Sequence, residues 1–165
     1  MSAKVEKPVG GESKRSIKDR ITEDMKKALV AGDKVELNVM RLLKSEIRYK
    51  EIEKGSELSD EEIISVLSSS VKRHKDSIEQ FKNGGREDLA ASEKVELEII
   101  REYLPKQLDQ DELAKIVDEA IREVNASVPS DLGKVMKILM PKVKGRADGK
   151  KVNELVSSKL KLMSE

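Results

Sequence analysis

The chain has 165 residues, and its 33 Lys and Arg nearly cancel its 32 Asp and Glu, so the formal net charge is only +1. Cysteine is absent, which excludes disulfides and thiolate catalysis, and no apolar run approaches the roughly 18 residues that cross a membrane. Only 2% of the residues are aromatic, so the core must be aliphatic, and the high charge and scarce proline then favour helices. We therefore predict an all-α, cytoplasmic protein with no membrane partner.

Residues 1–15 are predicted to form a disordered leader. Pro8, Gly10 and Gly11 interrupt them, and they contain too few apolar residues to offset the entropy of ordering. Their lysines and arginine raise the alternative of an organellar targeting peptide. Glu6 and Glu12 argue against it, because transit peptides are poor in acidic residues.

Four helices are predicted in an N-terminal domain over residues 16–105. They span about 16–32, 33–55, 59–83 and 86–104. Gly32 and Gly55 end the first two, since glycine readily adopts the left-handed conformation that terminates a helix. Ser59-Asp60-Glu61-Glu62 is a capping box that opens the third. The short turns predict two antiparallel hairpins packed together.

A C-terminal domain of three helices is predicted over residues 108–165, after a boundary at Pro105-Lys106-Gln107. Its first helix begins at Asp109 or Asp111. Ser130 is predicted to cap a short second helix, and Asp148 to cap the last one.

Catalytic and metal-ligand motifs are scarce. His74 is the single histidine, and it lies on the apolar seam that runs from Ile64 to Phe81, so we interpret it as structural. One histidine without cysteine excludes a zinc site of the usual Cys/His kind, and no Asp-x-Asp-x-Asp-Gly loop is present for calcium. The sequence contains no phosphate-binding glycine loop or nucleophile elbow. It therefore predicts no catalytic residue, no metal and no cofactor.

Residues 131–151 depart most from the even mixture of charges. Their cations are Lys134, Lys137, Lys142, Lys144, Arg146, Lys150 and Lys151. Only Asp131 and Asp148 oppose them, whereas residues 108–129 are mainly acidic. Two interpretations remain open: the acidic and basic segments attract each other within the molecule, or the basic stretch meets an anionic partner.

The conformation predicted for this stretch favours a phosphate partner. Pro141 should end the preceding helix and hold Met140 extended. Three cations at alternate positions would then point the same way: Lys142, Lys144 and Arg146. Four residues would shape the loop: Pro141, Gly145, Asp148 and Gly149. Both glycines permit positive φ, and the amides that begin the last helix attract anions. With no aromatic residue here, RNA would be recognised by phosphate and shape.

The same residues carry a family resemblance. The chain resembles the YqeY-like proteins in Gly133-Lys134-Val135-Met136-Lys137 and in Lys144-Gly145-Arg146-Ala147-Asp148-Gly149-Lys150-Lys151-Val152-Asn153. Upstream segments add Met40-Arg41-Leu42-Leu43-Lys44 and Tyr103-Leu104-Pro105-Lys106-Gln107-Leu108. The resemblance covers residues 16–163.

This family is similar to the C-terminal tail of the tRNA-binding subunit of aspartyl/glutamyl-tRNA amidotransferase, an all-helical tail that meets the elbow of tRNA. The matching positions are Gly133, Val135, Met136, Gly145, Ala147, Val152 and Asn153. Two features depart from the tail: Asp148-Gly149 stands where the tail usually has Asn-Pro, and the connection from Met136 to Gly145 is longer.

The resemblance implies a non-catalytic accessory protein that binds tRNA or another structured RNA. One alternative is a helical protein-interaction module that docks a partner helix through the seam Ile64–Phe81 or the region of Met136 and Met140. The other, by family association only, is a carbon–nitrogen ligase with glutamine as the amido-nitrogen donor.

Overall fold

A computed structural model describes residues 15–165, and this part of the chain folds into seven α-helices without any strand. The helices are α1 (Ile17–Ala31), α2 (Lys34–Lys54), α3 (Asp60–Asn83), α4 (Glu87–Arg101), α5 (Gln110–Glu123), α6 (Leu132–Val143) and α7 (Gly149–Met163). The all-α prediction is confirmed. Within the described residues no helix is both long enough and apolar enough to cross a membrane. The predicted leader lies almost wholly in residues 1–14, outside the described part.

The predicted capping residues begin the first three helices. Ser16 Oγ accepts a hydrogen bond from the backbone N–H of Asp19, and Asp33 accepts one from that of Glu36. At α3 the Ser59 hydroxyl and the Glu62 carboxylate form the complete capping box. Each cap satisfies an N–H that has no partner within its helix. Local side-chain chemistry therefore sets where these helices begin.

Two separate aliphatic cores hold the seven helices together. The first lies among α1–α4, and its most deeply buried members include Ile21, Met40, Leu43, Leu67 and Ile100. The second lies among α5–α7 and includes Val117, Val135, Leu139, Val156 and Leu160. In the first core α1 packs on α2 and α3 on α4, with further contacts across the two pairs. The cores lie on either side of residues 105–107, where the domain boundary is predicted.

The end of α6 differs from its prediction. Pro141 lies inside the helix, and the N–H of Lys144 still donates to the carbonyl of Met140 over 2.9 Å. Proline removes one hydrogen bond here, but it does so in the last turn. Leu139 and Val143, on either side of it, are fully buried in the second core. Their burial keeps the segment helical, so the predicted break at Pro141 and the extended Met140 are wrong.

The start of α6 also differs. A short 3₁₀ turn over Pro129–Asp131 leads into the helix. The carboxylate of Asp131 accepts from the backbone N–H groups of Ser127 and Val128, at 2.9 and 3.2 Å. Asp131 thus organises this turn, and the predicted cap at Ser130 is wrong.

A buried ion pair fixes α1 on α2. The carboxylate of Glu51 is only 6% exposed. It accepts hydrogen bonds from Lys18 Nζ at 2.7 Å and from the N–H of Leu58 at 3.3 Å. The bond from Lys18 is the main cause that holds the pKa of Glu51 below its usual range. One carboxylate therefore joins α1, α2 and the turn that precedes α3.

The capping box of α3 makes a pH-dependent contribution that can be measured. Hydrogen bonds from Lys54 and from the Ser59 N–H lower the pKa of Glu62 from 4.5 to about 2. A lowered carboxyl pKa stabilises the fold above the unfolded-state pKa, and the stabilisation is lost as the pH falls through the folded-state pKa. We expect Glu62→Gln to lower the melting temperature at neutral pH, and the difference from wild type to shrink between pH 4.5 and about 2. Thermal unfolding followed by circular dichroism measures it; a difference that stays constant over that range contradicts the prediction.

Candidate nucleic-acid interface

Helix α6 turns one face to the second core and the opposite face to solvent. Its buried residues are Val135, Leu139 and Val143, spaced four apart. Lys134 and Lys137 lie on the exposed side, and Lys144 follows on the same side just after the helix ends. The spacing of three and seven residues places all three on one stripe.

The loop that follows α6, residues 144–148 and here called the basic loop, is pressed against α3. Gly145 has φ +73°, and a Cβ added to it would overlap Cγ2 of Ile64. Glycine is therefore required at this position twice: for its left-handed backbone and for the close approach to α3. The prediction that Gly145 shapes the loop is supported by this geometry.

Hydrogen bonds join the basic loop to the linker, residues 105–108. Gln107 Nε2 donates to the carbonyl of Gly145 at 2.7 Å, and the N–H of Leu108 donates to the carbonyl of Arg146 at 2.8 Å. Arg146 is half-buried, and its Nε donates to the carbonyl of Lys106 at 3.3 Å. The loop and the linker thus form one connected unit.

The residue just before the linker is anchored to α1. Tyr103 is buried, and its hydroxyl donates a short hydrogen bond to the carboxylate of Asp24. The guanidinium of Arg20 lies 5.2 Å from the centre of the Tyr103 ring, within range of a cation–π interaction. Burial first, and then the Asp24 carboxylate, raise the pKa of Tyr103 above its usual range. These contacts fix the path of the chain from α4 into the second core.

Three of the predicted cations are engaged within the protein. Lys142 Nζ lies 2.9 Å from the Glu123 carboxylate of α5, and Lys134 lies 3.5 Å from Asp131. Arg146 makes the linker contact described above. The prediction that Lys142, Lys144 and Arg146 point the same way is wrong, because the helix continues through Pro141 and turns Lys142 toward α5. The acidic helix does attract the basic segment, as the intramolecular interpretation holds.

Four predicted cations remain, and we call them the basic face: Lys137, Lys144, Lys150 and Lys151. All four are exposed, and within residues 15–165 their side chains have no ion-pair or hydrogen-bond partner. The two pairs come from α6 with its loop and from the first turn of α7. A Cβ built on Gly149 would lie 3.7 Å from Cε of Met140, so α7 begins beside α6. The basic face therefore combines the ends of two helices.

The start of α7 is already capped. Asp148 accepts from the N–H of Lys150 at 2.9 Å, as predicted. Gly149 is the first helical residue and is not among the positive-φ residues of the described chain, so its predicted positive φ is wrong. A cap carboxylate occupies part of the position where a helix start would attract a phosphate. Attraction here depends on the side chains of Lys150 and Lys151.

A groove of about 850 Å³ separates α3 from α6. Its lining residues are Glu61, Ile64, Met136, Lys137, Met140, Pro141 and Lys144. From the sequence, Ile64 and the two methionines were predicted to belong to separate docking surfaces. The structure brings them together beneath two lysines of the basic face, a juxtaposition set by the packing of the basic loop on α3.

Comparison with known proteins gives a consistent result. The profile of the family described as "Yqey-like protein" matches residues 18–160. The chain is similar to "Altered inheritance of mitochondria protein 41, mitochondrial" of Pyrenophora tritici-repentis, with 31% identity over 85% of this chain and 81% of that protein. The protein of the same name from Saccharomyces cerevisiae is 29% identical over 77% of this chain and 68% of its own length. That from Lachancea thermotolerans is 34% identical over 67% of this chain and 60% of its own length.

These names correct one prediction. The relatives are all called mitochondrial proteins, which contradicts the predicted cytoplasmic location.

The contact between Gly145 and Ile64 can be tested against a matched glycine. Gly55 also has positive φ, but a Cβ there would meet nothing within 4 Å. Gly55→Ala should therefore cost only the left-handed backbone strain, about 1–2 kcal/mol of unfolding free energy. Gly145→Ala adds a steric overlap to the strain and should cost about 2–5 kcal/mol in total. Urea unfolding of the two variants measures the difference.

The double variant Gly145→Ala/Ile64→Ala identifies the cause of that difference. Removing Cγ2 of Ile64 should relieve the overlap, so the double variant should be more stable than the sum of the two single effects. Equal costs at Gly55 and Gly145, or simple additivity, would show that the basic loop is not pressed on α3.

Proposed function

The chain belongs to the Yqey-like protein family, and on that premise we propose that it is a non-catalytic accessory protein that binds tRNA. The observation that supports the proposal is the basic face. Its four lysines are exposed and unpaired within the described residues, whereas other cations of the same stretch are held by protein groups. Cations without an internal partner are free to neutralise phosphates without breaking an ion pair.

The recognition proposed is of backbone and shape. Of the three aromatic residues, Tyr103 is buried, Tyr49 is exposed on α2 and Phe81 lies on α3, so none lies on the basic face. Stacking on unpaired bases is therefore not part of the proposal. Lysines from two helices held in fixed relation suit a folded RNA, whose phosphates also keep fixed spacings. The elbow of tRNA is such a target, and the family resemblance favours it.

A second candidate function is supported by the groove. Ile64, Met136 and Met140 give it apolar walls beside a basic rim, and methionine surfaces adapt to varied partner side chains. An amphipathic helix with an acidic flank would fit such a groove. This hypothesis differs from RNA binding in its salt dependence: burial of apolar surface persists at high salt, whereas phosphate contacts weaken.

The two candidates are separated by a salt-series titration against total tRNA, followed by fluorescence anisotropy. If the basic face contributes four phosphate contacts, the affinity of the wild-type protein should fall with salt with a logarithmic slope of about −3 to −4 from this face alone. The variant Lys137→Ala/Lys144→Ala/Lys150→Ala/Lys151→Ala should lose most of that slope and most of the affinity at low salt.

The matched control removes four lysines that are equally exposed but lie on α1 and α3. It is Lys26→Ala/Lys72→Ala/Lys75→Ala/Lys82→Ala, and it changes the net charge by the same amount. We expect it to bind tRNA nearly as the parent does. Equal losses in both variants would mean that only total charge matters, and the site would be rejected. Glutamine-dependent amidation by the purified chain would contradict the non-catalytic part of the proposal.

A further inference from the structure

His74 is held in one orientation by the helix that carries it. It lies on α3 with its side chain only 9% exposed. Its Nδ1 is 2.8 Å from the backbone carbonyl of Ser70, one turn earlier. A carbonyl oxygen only accepts hydrogen bonds, so Nδ1 carries the proton. In the neutral imidazole, Nε2 then offers a lone pair on the side that faces α4.

Two carboxylates on α4 meet that lone pair. Nε2 lies 3.1 Å from Oε2 of Glu96 and 3.8 Å from Oε2 of Glu93. The three potential ligand atoms all lie within 4.8 Å of one another. Glu93 and Glu96 are spaced three apart and half-buried, so both reach His74 from one side of α4. Three groups that offer lone pairs converge here, and such an arrangement requires a cation among them.

We propose that His74, Glu93 and Glu96 form a binding site for a divalent transition-metal ion of the Zn²⁺ class. Imidazole nitrogen and carboxylate oxygen bind Zn²⁺ at about 2.0–2.2 Å. Two ligands of one ion at tetrahedral or octahedral angles then stand about 3.0–3.6 Å apart. The 3.1 Å between His74 and Glu96 lies in that range, and a small rotation of Glu93 closes its 3.8 Å.

The outer contacts of the site fit a metal ligand. A histidine that binds a metal through one nitrogen usually donates the other N–H to a carbonyl or carboxylate, which fixes its tautomer and orientation. The Ser70 carbonyl plays that part here. The partial exposure of both glutamates leaves room for water to complete the coordination of the ion.

Charge balance distinguishes the metal from its simplest competitor. If His74 were protonated instead, one imidazolium would face two carboxylates, and one negative charge would remain without a counter-charge inside the cluster. A divalent ion with neutral His74 and both carboxylates sums to zero. Zinc sites of the usual Cys/His kind were excluded from the sequence, and this site uses a different ligand set whose glutamates only the pairing of α3 with α4 brings to His74.

The test uses the full chain without a histidine tag, freed of metal by a chelator. Calorimetric titration with Zn²⁺ should show one saturable site. The variant Glu93→Gln/Glu96→Gln should weaken the binding by at least tenfold, which is the smallest loss typical even of an outer-shell partner. Both positions are half-exposed and the amide keeps a hydrogen-bond acceptor for His74, so this variant should remain folded. Glu87→Gln, an exposed position on the same helix, is the matched control and should bind as the parent does.

Because His74 is the only histidine in the chain, its ring nitrogens give a single pair of ¹⁵N resonances. Added Zn²⁺ should shift Nε2 and leave Nδ1 protonated. Substitution of Co²⁺ should give visible absorption that the double variant lacks. The proposal is overturned if no saturable binding is found, if Glu93→Gln/Glu96→Gln binds Zn²⁺ as tightly as the parent, or if both ring nitrogens stay protonated in excess Zn²⁺.

Discussion

The contact between Gly145 and Ile64 is the constraint on which the arrangement of this protein depends. It seats the basic loop on α3, and hydrogen bonds from Gln107 and Leu108 then join that loop to the linker. Tyr103 anchors the same linker to α1 through Asp24. Two aliphatic cores that share no helix are thereby held in a defined relation. Without a glycine at this position, α6 would be displaced from α3, and both the groove and the position of the basic face relative to α3 would change.

Internal ion pairs determine which charges face solvent without a counter-charge. The chain as a whole is almost neutral, and much of the charge on α5–α7 is paired internally, as between Lys142 and Glu123 and between Lys159 and Asp118. What remains on the basic face is positive charge that no protein carboxylate balances. The proposed RNA binding rests on that remainder, whereas the proposed metal site rests on the opposite situation at His74, where two carboxylates exceed the charge of any single proton.

Features fixed by neighbouring residues could be predicted from the sequence. Capping side chains at Ser16, Asp33 and Ser59 begin their helices because the hydrogen bonds involved span three residues. Pro141 could not be judged this way, since the burial of Leu139 and Val143 that keeps it helical comes from other helices. The four lysines of the basic face were predicted as candidates, but the pairing of Lys142 with α5 was not. Glu93 and Glu96 were missed because their approach to His74 depends on how α3 and α4 pack.

The position of bound tRNA tests the central claim most directly, and the absence of cysteine makes single labelling sites simple to introduce. Gly133→Cys lies on the exposed side of α6, where an added side chain meets nothing within 4 Å. Glu79→Cys lies exposed on α3 and serves as the reference. With a tethered iron chelate that cleaves nearby nucleic acid, the account predicts localised cleavage of tRNA from position 133 and little from position 79. Equal cleavage from both positions, or cleavage only from position 79, would contradict it.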